Sequence, residues 1–256
     1  MRWATRSAAA TSAPGYSCGG CRPDRTNPPP GRRTLTPTAE PYRDRADAGL
    51  RLAAELDPTW HGRPDVVVLG IPRGGVPVAF EVARTLGVPL DVFVVRKLGF
   101  PGHEELAFGA VASGGLRVLN PDVAALLPPR LVAEVTAREQ EELDRRETAY
   151  RDGRPPLDLS GRTVVLVDDG LATGASMRAA VAAVRQQEPA SVVVAVPVGA
   201  ASTCRLLEGE ADAVVCPMTP DSFVAVGAWY DDFSPTTDDE VRRLLAAARA
   251  PRDGGG

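Results

Sequence analysis

Thr163–Ser176 reads TVVLVDDGLATGAS, and its reading decides the fold. Val164–Val167 is an uncharged, mostly β-branched run, the pattern of a strand buried on both faces. Asp168 and Asp169 follow at its C-terminal end, then the short loop Gly170, Leu171, Ala172, Thr173 and Gly174. The Ala-rich stretch 175–187 is predicted to be a helix. A strand, a tight polar loop and a helix start put this loop in the crevice where open α/β sheets bind ligands. Its glycines tolerate close approach of a ligand. Unpaired N–H groups and the dipole at the helix start favour a phosphate, and Thr173 and Ser176 add hydroxyl donors. With a phosphate seated there, Asp168 and Asp169 lie one strand end away, suited to sugar hydroxyls or a hydrated metal.

Working outward, a helix is expected over Asp44–Asp57, closed by Pro58, and a buried strand over Val66–Leu69. Gly70–Pro77, GIPRGGVP, makes a second glycine-rich turn at a strand end. There Gly74 and Gly75 can open successive amides to an anion, and Arg73 offers a forked donor to phosphate. A helix over Val76–Leu86 and a second strand over Leu90–Arg96 follow. Lys97–Glu105 (KLGFPGHEE) reads as a polar loop, and Leu106–Ala112 with Leu116–Leu119 as a hairpin around Ser113-Gly114-Gly115. Lys97 is the only lysine of the chain. It suits either a charged ligand or a solvated loop, and His103, Glu104 and Glu105 suit proton transfer or a plain surface. Downstream come a strand over Ser191–Pro197, a short helix over Ala201–Leu207, a strand over Ala213–Cys216 and a closing helix over Glu240–Arg249. Strands joined by helices give an α/β, doubly wound, mainly parallel central sheet.

Four apolar residues (Val164, Val165, Leu166, Val167), Asp168-Asp169, three variable positions, Thr173-Gly174, one further residue and Ser176 resemble the phosphoribosyl-pyrophosphate (PRPP) motif of type I phosphoribosyltransferases. The resemblance covers about residues 64–217. It implies displacement of pyrophosphate from C1 of PRPP by a nitrogen nucleophile, through an oxocarbenium-like state, in a Mg²⁺-dependent enzyme. PRPP binding then falls to Arg73, Gly74, Gly75, Asp168, Asp169 and Gly170, Leu171, Ala172, Thr173, Gly174, Ala175 and Ser176. Asp168, Asp169, Lys97 and Arg73 become the catalytic set, with Asp168 and Asp169 touching Mg²⁺ indirectly, through ribose or water. The resemblance also implies a mobile hairpin that closes over PRPP and a hood segment, 217–235, over the acceptor. Trp229 and Tyr230 in that hood suit stacking on a ring or packing under a loop. Six-oxopurine enzymes of the family place an Asp where this chain has Ala172, and a lysine near Val196–Gly199 where it has none. The acceptor is therefore expected to be another nucleobase or an unrelated amine. A second reading is a PRPP-sensing regulator that has lost turnover.

The chain has 256 residues, 44% hydrophobic and 24% charged, enough for a substantial core. The formal charge of −4 hides an asymmetry: residues 1–45 hold eight Arg against Asp24, Glu40 and Asp44, so the remainder carries −9. An acidic body argues against a nucleic-acid partner. No apolar run is long enough for a membrane span. Residues 1–41, rich in Arg, Ser, Gly and Pro, are expected to be a disordered extension, and 250–256 a flexible tail, leaving 42–249 as the domain. Cys18 and Cys21 lack the partners a zinc site needs, and sparse cysteine fits a reducing, cytoplasmic setting. Residues 120–157 form a charged helical insertion with Glu134–Arg138, Glu141–Arg145, Glu142–Arg146 and Glu147–Arg151 pairs spaced i,i+4. This insertion is expected to be a solvent-exposed helix, available to a second subunit in a homodimer.

Overall fold

The computed structural model describes residues 40–100 and 103–249. The side chains of His103, Glu104 and Glu105, the segment through Ala39 with Cys18 and Cys21, and the tail from Ala250 lie outside the described residues.

Three valine-rich strands form the centre: β1 (Val66–Gly70), β6 (Thr163–Val167) and β7 (Ser191–Ala195). They join β2 (Leu90–Val92) and β8 (Ala213–Val215) in a five-stranded sheet of order β2-β1-β6-β7-β8, parallel throughout. Alternate residues feed two cores. Val66, Val68, Val165, Val167 and Val193 pack on one face, and Val67, Leu69, Val164, Leu166 and Val194 on the other. Burial on both faces is why these strands read as continuous apolar runs.

The first face is covered by α1 (Arg45–Trp60), α2 (Gly75–Leu86), α4 (Pro129–Arg151) and α7 (Asp238–Ala247), and the second by α5 (Ala175–Arg185). A short α3 (Pro121–Ala124) precedes α4, and α6 (Ala201–Leu207) precedes β8. Register decides where the loops emerge: Gly70 lies beside Val167, and Val167 beside Ala195. The chain moves from β1 outward to β2, but from β6 outward to β7 and β8. The strand order therefore reverses between β1 and β6, at the position where such sheets open a ligand crevice.

Several expectations are corrected. Pro58 does not end the first helix, which runs on to Trp60; a proline in the last turn forfeits one N–H bond while its fixed φ stays helical. The expected strand 90–96 breaks after Val92. Phe93 N still donates to Gly70 O (3.0 Å), but Val94 N donates to Ser113 Oγ (2.8 Å) and Ser113 N to Val94 O (2.9 Å), which draws the chain into a second sheet. That sheet holds β3 (Val95–Phe100), β4 (His103–Ala112) and β5 (Leu116–Leu119), antiparallel in order β3-β4-β5. The stretch from Lys97 is thus strand and not polar loop, with Lys97 opposite Ala110. The turn at Ser113–Gly115 lies where the hairpin reading put it.

The insertion also differs from a bare solvent helix. Val135, Leu143, Tyr150 and Arg151 of α4 are buried. Arg151, 3% exposed, donates through Nε to Asp91 Oδ2 (3.1 Å) and through Nη2 to Val92 O (2.7 Å), while Nη1 meets Glu147 (2.5 Å). Asp91 in turn accepts Val92 N (2.8 Å) and Leu157 N (3.3 Å). Of the four expected ion pairs, Glu142–Arg146 and Glu147–Arg151 form, whereas Glu134 turns to Arg130.

Candidate functional site

The loop after β6 is tied down from behind and left open in front. Leu171 N donates to Val198 O (2.9 Å), Ala200 N to Leu171 O (2.9 Å), and Thr203 Oγ1 to Ala172 O (2.7 Å). These bonds spend the Leu171 amide and the carbonyls of Leu171 and Ala172 on the scaffold. Among the described residues, the amides of Ala172, Thr173, Gly174, Ala175 and Ser176 have no acceptor, and neither do the hydroxyls of Thr173 and Ser176. Gly174 caps α5 at φ 70°, a left-handed angle that glycine alone adopts cheaply. Five consecutive free donors at a helix mouth form an anion cup.

The loop after β1 closes the other side. Arg73 and Gly74 amides have no acceptor among the described residues, and the Pro72–Arg73 peptide is cis. The Arg73 guanidinium is half exposed, 3.8 Å from Asp238, which accepts the Tyr150 hydroxyl (2.6 Å). A Cβ on Gly75 would lie 2.6 Å from Val167 O and 2.8 Å from Asp168 Cα, so the two loops touch backbone to backbone. Neither contact can yield like a side-chain tip. Gly75→Ala is expected to cost about 1–3 kcal/mol, or about 2–4 °C of melting temperature per kcal/mol. An unchanged melting curve would mean that the loops do not pack this way.

Asp168 and Asp169 stand between these loops. Asp168 Oδ1 accepts Asp169 N (2.9 Å), while Oδ2 has no partner among the described residues. Burial first, and the neighbouring Asp169 charge second, push the Asp168 carboxyl well above the usual range. Asp169 is also raised by burial, against the opposing pull of Arg45. Arg45 bonds Asp169 Oδ2 through Nε (2.9 Å) and Nη2 (2.8 Å) and donates Nη1 to Ser234 O (2.7 Å). This arginine escaped the sequence reading, which gave it no part. The one local signal is a cation in the first turn of a helix, against the dipole.

The hood segment is tied to the start of the domain. Tyr42 N donates to Trp229 O (2.9 Å), Asp231 N to Tyr42 O (2.8 Å) and Asp232 N to Arg43 O (2.9 Å). Tyr230, buried, donates its hydroxyl to Asp169 O (2.6 Å) and packs between the rings of Tyr42 (5.5 Å) and Phe233 (5.0 Å). Its ring is thus spent inside the chain, supporting the carboxylate loop, and is not presented to an acceptor. Trp229 ends a short 3-10 turn, Val226–Trp229; its Nε1 is buried and lacks a partner among the described residues. Lys97 is exposed on β3, and no contact among the described residues ties it to the carboxylates.

The comparisons with known proteins agree with this geometry. The family model described as a phosphoribosyl transferase domain matches residues 41–232. A Mycobacterium tuberculosis protein, itself provisionally assigned as a phosphoribosyl transferase, is 49% identical over 214 residues, 83% of this chain and 47% of that protein. The chain thus spans about half the length of its mycobacterial relatives. The bifunctional protein PyrR of Roseiflexus sp. is 32% identical over 148 residues, 57% of this chain and 62% of that one. The crystal structure of TT1426 from Thermus thermophilus is 47% identical and superposes with a TM-score of 0.73, covering 81% of this chain and 98% of that one. With its crevice, its two facing loops and a family match over most of the described residues, the chain belongs to the phosphoribosyl transferase domain family.

Proposed function

We propose that the protein transfers the phosphoribosyl group of PRPP to a nitrogen acceptor, a nucleobase or another amine, and releases pyrophosphate. The observation that carries this reading is the run of free amides from Ala172 to Ser176, one strand end from an Asp168 that lacks a bonded counter-charge. The cup binds the 5-phosphate, with Gly170, Leu171 and Ala175 shaping it. Asp168 and the open oxygen of Asp169 accept the ribose hydroxyls, and doing so offsets the cost of their burial. The Arg73 and Gly74 amides and the Arg73 guanidinium stabilise charge that develops on departing pyrophosphate, while the close packing at Gly75 holds the two loops together. Lys97 joins them when the β3–β4 hairpin closes. Trp229 is the aromatic left to the acceptor side; its indole N–H is buried without a partner among the described residues.

Mg²⁺ fits the donor set. Asp168 Oδ2 and Asp169 Oδ1 are hard oxygens without a partner among the described residues. No group of three His, Cys, Asp or Glu residues gathers among the described residues, so the ion would rest on these carboxylates through ribose and water. When bound, it supplies charge neutralisation to the leaving pyrophosphate.

A non-catalytic PRPP sensor is the second reading, favoured by one observation: Lys97 has no contact with the site among the described residues. Pyrophosphate release from PRPP and Mg²⁺, measured over a panel of nucleobases and amines, separates the two. Release with at least one acceptor is expected, and binding without release on any acceptor would make the protein a sensor. No helix among the described residues is long and apolar enough to cross a membrane. The reading makes residues 42–249 the working domain, acting on small molecules in the cytoplasm, with a homodimer compatible with the exposed side of α4.

A further inference from the structure

We infer that Arg45 is a positioning residue that fixes Asp169 between the two ligand loops, so that the sugar is read by Asp168 together with only the outer oxygen of Asp169. This rests on the phosphoribosyl reading above and adds to it a residue outside the motif.

The guanidinium sits where three distant segments meet. Nε and Nη2 hold Asp169 Oδ2 at 2.9 and 2.8 Å, across 124 positions of sequence. Nη1 reaches Ser234 O at 2.7 Å, across 189 positions, where the hood segment ends. The ring of Phe233 lies 4.0 Å from the guanidinium carbon and fixes its plane. A Cβ added to Gly74 would run into Asp169 Oδ2 and come within 3.3 Å of Arg45 Nε, so the pyrophosphate-side loop closes over the same pair. The side chains of Arg45 and Asp169 are only 11% and 16% exposed.

This setting defines a support and not a ligand contact. Each nitrogen of the fork is committed to a protein oxygen, so the side chain is not waiting for a phosphate. A cation in the first turn of α1 opposes the helix dipole, and its carboxylate partner offsets that cost. Two donors converging on Oδ2 from a planar guanidinium hold the carboxyl more firmly than a single ammonium would. Asp169 Oδ1 is thereby left without a partner among the described residues. The backbone of the same residue is held by the Tyr230 hydroxyl at 2.6 Å, so both its side chain and its main chain are fixed from the hood side.

The test compares two probes that sample different halves of the site. Ribose 5-phosphate engages the cup and the carboxylates, whereas inorganic pyrophosphate engages the Arg73–Gly75 loop. In calorimetric titrations of the full chain with Mg²⁺, Arg45→Gln is expected to weaken ribose 5-phosphate by about 10- to 100-fold, the loss of one charge-assisted contact. Pyrophosphate affinity should stay within about twofold, and Arg45→Lys, which keeps the charge without the fork, should fall in between. Thermal melts confirm that the variants are folded; the lysine variant carries the comparison if the glutamine variant is not. Equal losses for both probes, or loss of pyrophosphate alone, would make Arg45 a phosphate ligand or a general fold support and overturn the inference. An unchanged affinity for ribose 5-phosphate would overturn it too. Wild-type protein that binds neither PRPP nor ribose 5-phosphate would instead remove the phosphoribosyl reading itself.

Discussion

Asp168→Asn is expected to lower PRPP turnover by about 10²- to 10³-fold while making the unliganded protein more stable. The substitution keeps the shape and the Oδ1 acceptor that meets Asp169 N. It removes the charge proposed above to bind sugar hydroxyls, and hydrogen bonds to a charged group are worth about 1.5–3 kcal/mol each. In the unliganded chain the same charge is a burden, because burial and Asp169 hold the Asp168 carboxyl above its ordinary value. The sign follows from linkage. A carboxyl raised in the folded state contributes stability that is complete below its unfolded pKa and is lost as the pH climbs through its folded one. The melting temperature of the wild type should therefore lag behind that of Asp168→Asn increasingly as the pH rises from about 4 to neutrality. The gain there is expected to be about 0.5–2 kcal/mol. Melts at several pH values, paired with PRPP turnover, check both halves. Loss of activity with a lower melting temperature across the range would mean that Asp168 serves the fold.

Arg151→Met is expected to be the most damaging single change to stability away from the crevice, about 3–5 kcal/mol. The side chains of Arg151 and Asp91 are 4% and 5% exposed. Truncating the arginine leaves the Asp91 carboxylate in the core with two backbone amides and, among the described residues, no cation closer than Arg249 at 3.8 Å. It also frees Val92 O, the last carbonyl of β2, from its partner. The contrast is Glu142→Gln on the same helix. Glu142 lies on the outer surface, with its carboxyl held at about 2 by Arg145 and Arg146, and exposed pairs of that kind are worth about 0–1 kcal/mol. Chemical denaturation of the two variants beside the wild type should separate them clearly. Similar midpoints for both would show that α4 is an appendage and not a cover for β2.

The legible parts of this molecule are the ones whose causes are local. β1, β6 and β7 announce themselves because strands buried on both faces need apolar residues at nearly every position. The loop at Gly170–Gly174 is legible because a strand end, two carboxylates and a helix start are contiguous. What escaped depends on partners far away in sequence. The break between β2 and β3 is made by Ser113, whose hydroxyl and amide take over Val94. The insertion helix displays its Glu147–Arg151 pair, yet the second use of Arg151, at Asp91 sixty positions upstream, leaves no trace in spacing. Arg45 is the sharpest case: its partners lie in the motif and at the end of the hood, and only a charge misplaced against the helix dipole hints at it. Tyr230 was visible as an aromatic near the site, but a side chain that stacks on a ligand and one that packs under a loop have the same letters. Its hydroxyl on Asp169 O decides between them.

The central claim is that free amides at one helix mouth and the adjoining carboxylates hold the two ends of a phosphoribosyl group. Calorimetric titration of the intact protein with PRPP in the presence of Mg²⁺ tests it most directly. The expected result is saturable heat at one site per chain, with the affinity markedly weakened in Asp168→Asn. Absence of any heat from the folded wild-type protein would contradict the account.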